Sequence, residues 1–166
     1  MFVFDNALVN QVDSAPGRYR LGQLIIDPQT GRHFRYIKQV GATTSAVGEV
    51  AAAASSGTYG EVSRTAATSV VNAVSTVAVP RGVFQSVLAT NKYGFIQSIG
   101  DGRVALAVTD GNVAAGDPLV IDGGATCVGA VDTMADGEEE SVFGDAMTAD
   151  SGTTQPAGSY TLRCTW

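Results

Sequence analysis

YGFIQSIGDGRVALAVTDGNVAAGDPLVI, from Tyr93 to Ile121, reads as three short strands separated by glycine turns. Tyr93 to Ile99 is the first strand, and Asp101-Gly102 is a residue pair that favours a two-residue hairpin turn. Arg103 to Val108 runs back with Val104, Leu106 and Val108 on one face, a period of two. Asp110-Gly111 turns again, and Pro118 to Ile121 begins the next strand. Nothing in the stretch looks catalytic. It reads as the wall of a small β-barrel.

The chain on the C-terminal side continues in the same style. Val83 to Leu88, Leu119 to Ile121, Cys127 to Val131, Val142 to Met147 and Tyr160 to Cys164 are short segments close to the strand spacing of sandwiches and barrels. Asp136 to Glu140 and Ser151 to Gly158 read as exposed loops. On the N-terminal side, Tyr19 to Lys38 is the clearest local unit. Leu21 to Ile26 is a strand, and Asp27-Pro-Gln-Thr-Gly31 is a turn with Pro and Gly where a turn wants them. Arg32 to Lys38 returns, with Phe34 and Tyr36 on one face and His33, Arg35 and Ile37 on the other. Ala51 to Ala54 predicts irregular structure or a short helix. Thr58 to Thr65 reads as a strand, and Thr68 to Val79 as one or two more, ending at Pro80. Met1 to Pro16 reads as an extended arm whose Phe2 and Phe4 need burial on their own barrel or on a neighbour. The expected fold is all-β: a small barrel or sandwich of short antiparallel strands with an extended N-terminal arm and hairpin. Residues 1–80 hold the arm, hairpin and an Ala/Ser/Thr-rich segment, and residues 81–166 the barrel-like domain.

Composition narrows the function. Of 166 residues, 45% are apolar, enough for a sizeable core, and only 16% are charged. The net charge of −6 opposes direct nucleic-acid binding, which favours a basic surface. The charge is uneven. Residues 1–40 carry Arg18, Arg20, Arg32, Arg35 and Lys38 against Asp5, Asp13 and Asp27, a balance of +2. Residues 101–150 carry eleven carboxylates against Arg103, a balance of −10. A basic end and an acidic end allow docking between copies or with a partner. No apolar run approaches the ~20 residues a spanning helix needs, so no membrane is expected. MFVFDNALVNQVD has neither a basic leader nor a long apolar core, and synthesis in a cytoplasm is the expectation.

There is no phosphate-binding GxxxxGK[ST] loop and no GxSxG elbow. His33, the single histidine, sits among arginines and reads as a surface residue rather than a general base. Cys127 and Cys164 are far apart without CxxC spacing, so neither a zinc site nor a disulfide follows from them. Asp132, Asp136 and Gly137 superficially suggest a calcium loop, but Met134 and Phe143 would then stand at ligand positions. Asp101, Asp110, Asp117 and Asp122 fall beside Gly or Pro, where an aspartate serves the local backbone of a turn. The chain is therefore read as a non-enzyme without cofactor.

Tyr93-Gly94-Phe95-Ile96-Gln97, then Ala115-Gly116-Asp117-Pro118-Leu119-Val120, then Val142-Phe143-Gly144-Asp145-Ala146 and the closing strand Tyr160 to Cys164 resemble, in that order, the small decoration or cement proteins of tailed-bacteriophage heads. The resemblance covers the C-terminal half well and the N-terminal half in style. It implies a structural virion protein on the capsid surface that assembles as a homo-oligomer, commonly a trimer. It also implies binding to the major capsid protein and bridging of shell subunits. With it, Phe2, Phe4, Arg32, Arg35 and Tyr36 become the candidate contacts with capsid or neighbouring subunits. Three other readings use the same residues: a neck, tail or fibre-base component; a cytosolic β-barrel binding module or small hydrolase using the turn aspartates; and a glycan binder using exposed aromatics.

Overall fold

A computed structural model of the chain describes residues 6–54, 58–64, 79–105, 114–121, 131–133, 142, 144–147 and 157–164. The expected hairpin is present. Strands β1 (Leu24–Ile26) and β2 (His33–Gln39) pair antiparallel, Leu24 opposite Arg35 and Ile26 opposite His33. Its turn closes through Asp27 N–H to the Arg32 carbonyl and Gly31 N–H to the Asp27 carbonyl, each 2.9 Å. The Asp27 carboxylate accepts from the Thr30 hydroxyl and from Gln29 N–H, which holds its carboxyl below the usual range. Gly31 takes φ +70°, which a side chain would resist.

Strand β2 is also a stave of a closed barrel. With β3 (Val50–Ala53), β4 (Glu61–Ser63), β5 (Pro80–Phe84) and β6 (Tyr93–Ala105) it forms a ring in the order β2-β4-β3-β5-β6, closed by pairing of β6 with β2. All neighbours are antiparallel except β2 and β4. Three of the five staves precede residue 80. Ile37, Ala51, Val62, Phe84, Leu88 and Ile96 fill the interior. The Ala51 to Ala54 expectation of irregular structure or helix is overturned, since β3 covers Val50–Ala53 as a fully buried strand. Alanine favours helix in isolation, but here small side chains let β3 fit between β4 and β5 in a narrow barrel.

The Asp101-Gly102 turn is overturned too. Strand β6 runs on through both residues for thirteen positions. The reason lies in a distant segment: β10 (Ala157–Arg163) offers ladder partners to every residue from Ile99 to Ala105. Gly100, at φ +95°, bends the strand without reversing it. The buried Gln97 side-chain amide reaches the carbonyls of Ile99 (3.3 Å), Gly100 (3.1 Å) and Asp101 (3.1 Å), binding the bend together. Beyond it, β6 joins a second antiparallel array in the order β6-β10-β9-β7-β8, with β7 at Pro118–Ile121, β8 at Val131–Thr133 and β9 at Gly144–Ala146. The expected strands at Thr68 to Val79, Val79 apart, and the turn at Asp110-Gly111 lie outside the described residues, as does Cys127.

The described part of the N-terminal arm is docked. A single helical turn, α1 (Asn6–Val9), is followed by a bridge between Asp13 and Tyr93, with backbone bonds of 2.9 and 3.0 Å. This segment covers a second cluster outside the barrel: Val9, Tyr19, Phe34, Tyr36 and Phe95. The Tyr36 ring lies 5.2 Å from Phe95, 5.5 Å from Tyr19 and 6.1 Å from Tyr93 between centroids. Strand alternation thus sends Phe34 and Tyr36 to this cluster and Ile37 to the barrel interior.

Candidate interaction surface

Strand direction decides which residues share an end of the barrel. β2, β4 and β5 begin at the same end, because β4 is parallel to β2 and two antiparallel steps separate β4 from β5. β6 leaves the barrel there, since Ile99 pairs with His33 at the start of β2. Arg35, Tyr59 and Arg81 therefore gather at this end.

Their contacts are specific. One Arg35 guanidinium nitrogen donates to the Gly22 carbonyl at 3.0 Å and to the Tyr59 hydroxyl at 3.2 Å. Gly22, at φ +76°, lies against the Tyr59 ring, where a Cβ would overlap ring carbons. Tyr59 remains 60% exposed. Arg81 is half-buried, and burial pulls its pKa down from the ordinary arginine value; the positive field of Arg35 adds to this, while Tyr59 and Cys164 oppose it. Two guanidinium groups thus stand within each other's field. Exposed Leu24, Ile26 and Ile99 continue the surface along the cross-strand pairs Leu24–Arg35, Ile26–His33 and His33–Ile99. The end is basic, with an aromatic and aliphatic border. Of the described carboxylates on the barrel strands, Glu61 pairs with Lys38 (3.5 Å) and Glu49, just before β3, with Arg64 (2.9 Å).

The expected contact residues are distributed as follows. Phe2 and Phe4 lie outside the described residues. Arg32 is half-exposed beside the turn, with its side chain against Gly100. Arg35 is at the basic end. Tyr36 is fully buried, its hydroxyl donating to an Asp13 carboxylate oxygen at 2.6 Å and accepting from Gly17 N–H at 3.1 Å. Its place on the Phe34 face of β2 puts it in the core. Sequence reading passed over Tyr59 and Arg81, because only strand direction brings them to Arg35. Of the turn aspartates, Asp117 accepts from Ala114 N–H at 2.7 Å within its own turn. Asp101 lies in strand β6 and accepts from the Thr161 hydroxyl at 3.0 Å. Asp110 and Asp122 lie outside the described residues.

No family model and no curated protein matches the chain. Among solved structures, the N base of the head fiber gp8.5 of bacteriophage phi29 is similar at 11% identity and a TM-score of 0.49, over 78% of this chain and 93% of that one.

Proposed function

We propose that this chain is a structural component of a tailed-phage particle that binds the outside of the capsid and stabilises the shell by bridging its subunits. One observation carries the reading. Three of the four segments that resemble capsid decoration proteins, separate in sequence, lie on successive neighbours of one array, β10-β9-β7, and the fourth, Tyr93 to Gln97, is the barrel half of β6, the strand whose other half pairs with β10. The "AGD" turn is tied into that array by Gly116 N–H to the Ala146 carbonyl (2.7 Å) and Ala146 N–H to the Asp117 carbonyl (2.9 Å). The β10, β9 and β7 segments are thus one structural unit rather than scattered turns, joined to the barrel through β6. In this reading Phe2 and Phe4 supply the capsid contact. Repetition on the shell lattice converts weak single contacts into stable coverage.

Copy number in purified particles, measured by quantitative peptide mass spectrometry against the major shell protein, tests the proposal. A fixed ratio to the shell subunit across the lattice is expected. A few copies per particle would replace it with a neck, tail or fibre-base role, and absence from particles would refute it. Deleting residues 1–5 removes both phenylalanines while keeping Val9 and Asp13, and should abolish capsid binding.

A further inference from the structure

We infer that β1 is an open sheet edge that takes one more strand: an antiparallel, extended segment of a partner protein carrying two aliphatic residues and a carboxylate on one face. The inference does not depend on the capsid reading, since it needs only the edge and the groups around it.

Hydrogen-bond register shows which way the edge faces. Asp27 N–H bonds to the Arg32 carbonyl and Tyr36 N–H to the Gln23 carbonyl, so the pairs Asp27–Arg32 and Gln23–Tyr36 are hydrogen-bonded ones. Antiparallel pairs alternate, which makes Ile25–Phe34 hydrogen-bonded and leaves Leu24–Arg35 and Ile26–His33 as the other kind. The N–H and C=O groups of Leu24 and Ile26 therefore point away from β2. Among the described residues no strand pairs with β1 on that side. A charge, a proline or a bulge usually guards such an edge, and Leu24–Ile26 holds none of them. Leu24 and Ile26 are instead 38% and 50% exposed.

The surroundings specify the partner. Leu24, Ile26, His33, Arg35 and Ile99 share one face, opposite to Ile25, which packs on the aromatic cluster. On that face, two residues of an added strand lie beside Leu24 and Ile26, where aliphatic side chains fit. The next position on the same face falls beside Gly22. The Gly22 carbonyl holds the Arg35 guanidinium at 3.0 Å, and the exposed Tyr59 ring lies against the same glycine. An arginine held in place there suits a carboxylate. Asp27 does not compete, because its carboxylate is taken by Gln29 N–H and the Thr30 hydroxyl. A second copy's β1, with Leu24 facing Ile26, would set Pro28 beside Gly22 and offer Arg35 no carboxylate.

The probe is the peptide acetyl-Val-Thr-Val-Thr-Glu-amide, added to the full chain and followed by amide hydrogen exchange in NMR spectra. Near saturation, the Leu24 and Ile26 amides should exchange at least about tenfold more slowly, while the Ile25 amide, already bonded to β2, stays unchanged. N-methylation of both valines should abolish binding, and N-methylation of the threonines should not. Ile26→Pro removes an outward N–H and no hairpin bond, and should weaken binding at least about tenfold. Lysine in place of the peptide's glutamate should weaken it as much. Absence of binding at about 5 mM peptide overturns the inference. So does binding that leaves Leu24 and Ile26 unprotected, or that the proline variant or the lysine peptide leaves intact. Protection that grows with protein concentration without peptide overturns the choice of partner and gives the edge to a second copy. Should Ile26→Pro fail to fold, the N-methylated peptides decide.

Discussion

Among the polar contacts that fasten the N-terminal segment to the barrel, the one between Tyr36 and Asp13 has a removal effect that can be calculated. Tyr36→Phe keeps the ring against Tyr19, Phe95 and Tyr93, so packing is preserved and only the hydroxyl is lost. That hydroxyl donates to Asp13 at 2.6 Å, and Gln11 donates to the other Asp13 oxygen at 2.6 Å. A hydrogen bond to a charged acceptor contributes about 1.5–3 kcal/mol. Gly17 N–H, its other partner, sits at an exposed residue where water can replace the lost acceptor, which adds little. The expected loss is about 1.5–2.5 kcal/mol by urea unfolding with an unchanged m-value. Asp13→Ala and the double variant complete a cycle, whose coupling should fall in the same range. In Tyr36→Phe the amides of the Val9 to Asp13 segment should also exchange faster with solvent. A coupling below about 0.5 kcal/mol, the level of an exposed pair, would refute the idea that this contact fastens the segment.

Alkaline pH should destabilise the fold. Burial first, and then the Asp13 contact, push the Tyr36 phenol up to about 12, so from pH 10 upward the unfolded chain loses a proton that the folded chain retains. Stability then falls as pH rises through that window, less steeply in Tyr36→Phe. Burial likewise pushes the Cys164 thiol from 9 up to about 12, with Arg81 opposing. In a Cys127→Ser chain, Cys164 should resist an aromatic disulfide reagent until urea unfolds the protein; labelling at the native rate of a free thiol would contradict its burial. Gly82→Ala should cost about 2–4 kcal/mol, because φ is +153° and the new Cβ would stand 2.5 Å from the Gln97 carbonyl oxygen in β6. Gln97→Leu should cost about 2–3 kcal/mol by leaving the carbonyls of the β6 bend without their donor, measured by thermal unfolding of both variants.

Local signals were legible where local chemistry is sufficient. The β1–β2 hairpin is such a case: Pro28 and Gly31 fit the turn, Asp27 caps it, and the alternation of Phe34 and Tyr36 against Ile37 survives intact in the structure. Asp101-Gly102 carries a turn signal of similar strength, yet the chain goes straight through. The difference is a partner. β10, more than fifty residues downstream, pairs with each residue across that site, and ladder pairing overrides a turn preference. Ala51 to Ala53 shows the same override from the packing side. Their local preference is helical, but a barrel wall between two strands selects them for size.

The candidate surface was half legible for a related reason. Arg32 and Arg35 stand out because they are adjacent in a hairpin. Tyr59 and Arg81 are single residues at the starts of β4 and β5, and no period marks them. They join Arg35 only because β2, β4 and β5 begin at the same barrel end, a property of strand direction that no local pattern encodes. The parallel pairing of β2 with β4 is decisive here: were it antiparallel, β4 would begin at the far end and carry Tyr59 away from Arg35. The basic balance of residues 1–40 was visible from composition, but its gathering at one barrel end follows only from this topology. The barrel collects positive charge at the end where the hairpin begins. The long β6 strand, which closes the barrel by pairing with β2, leaves it at that same end and carries the chain into the second array.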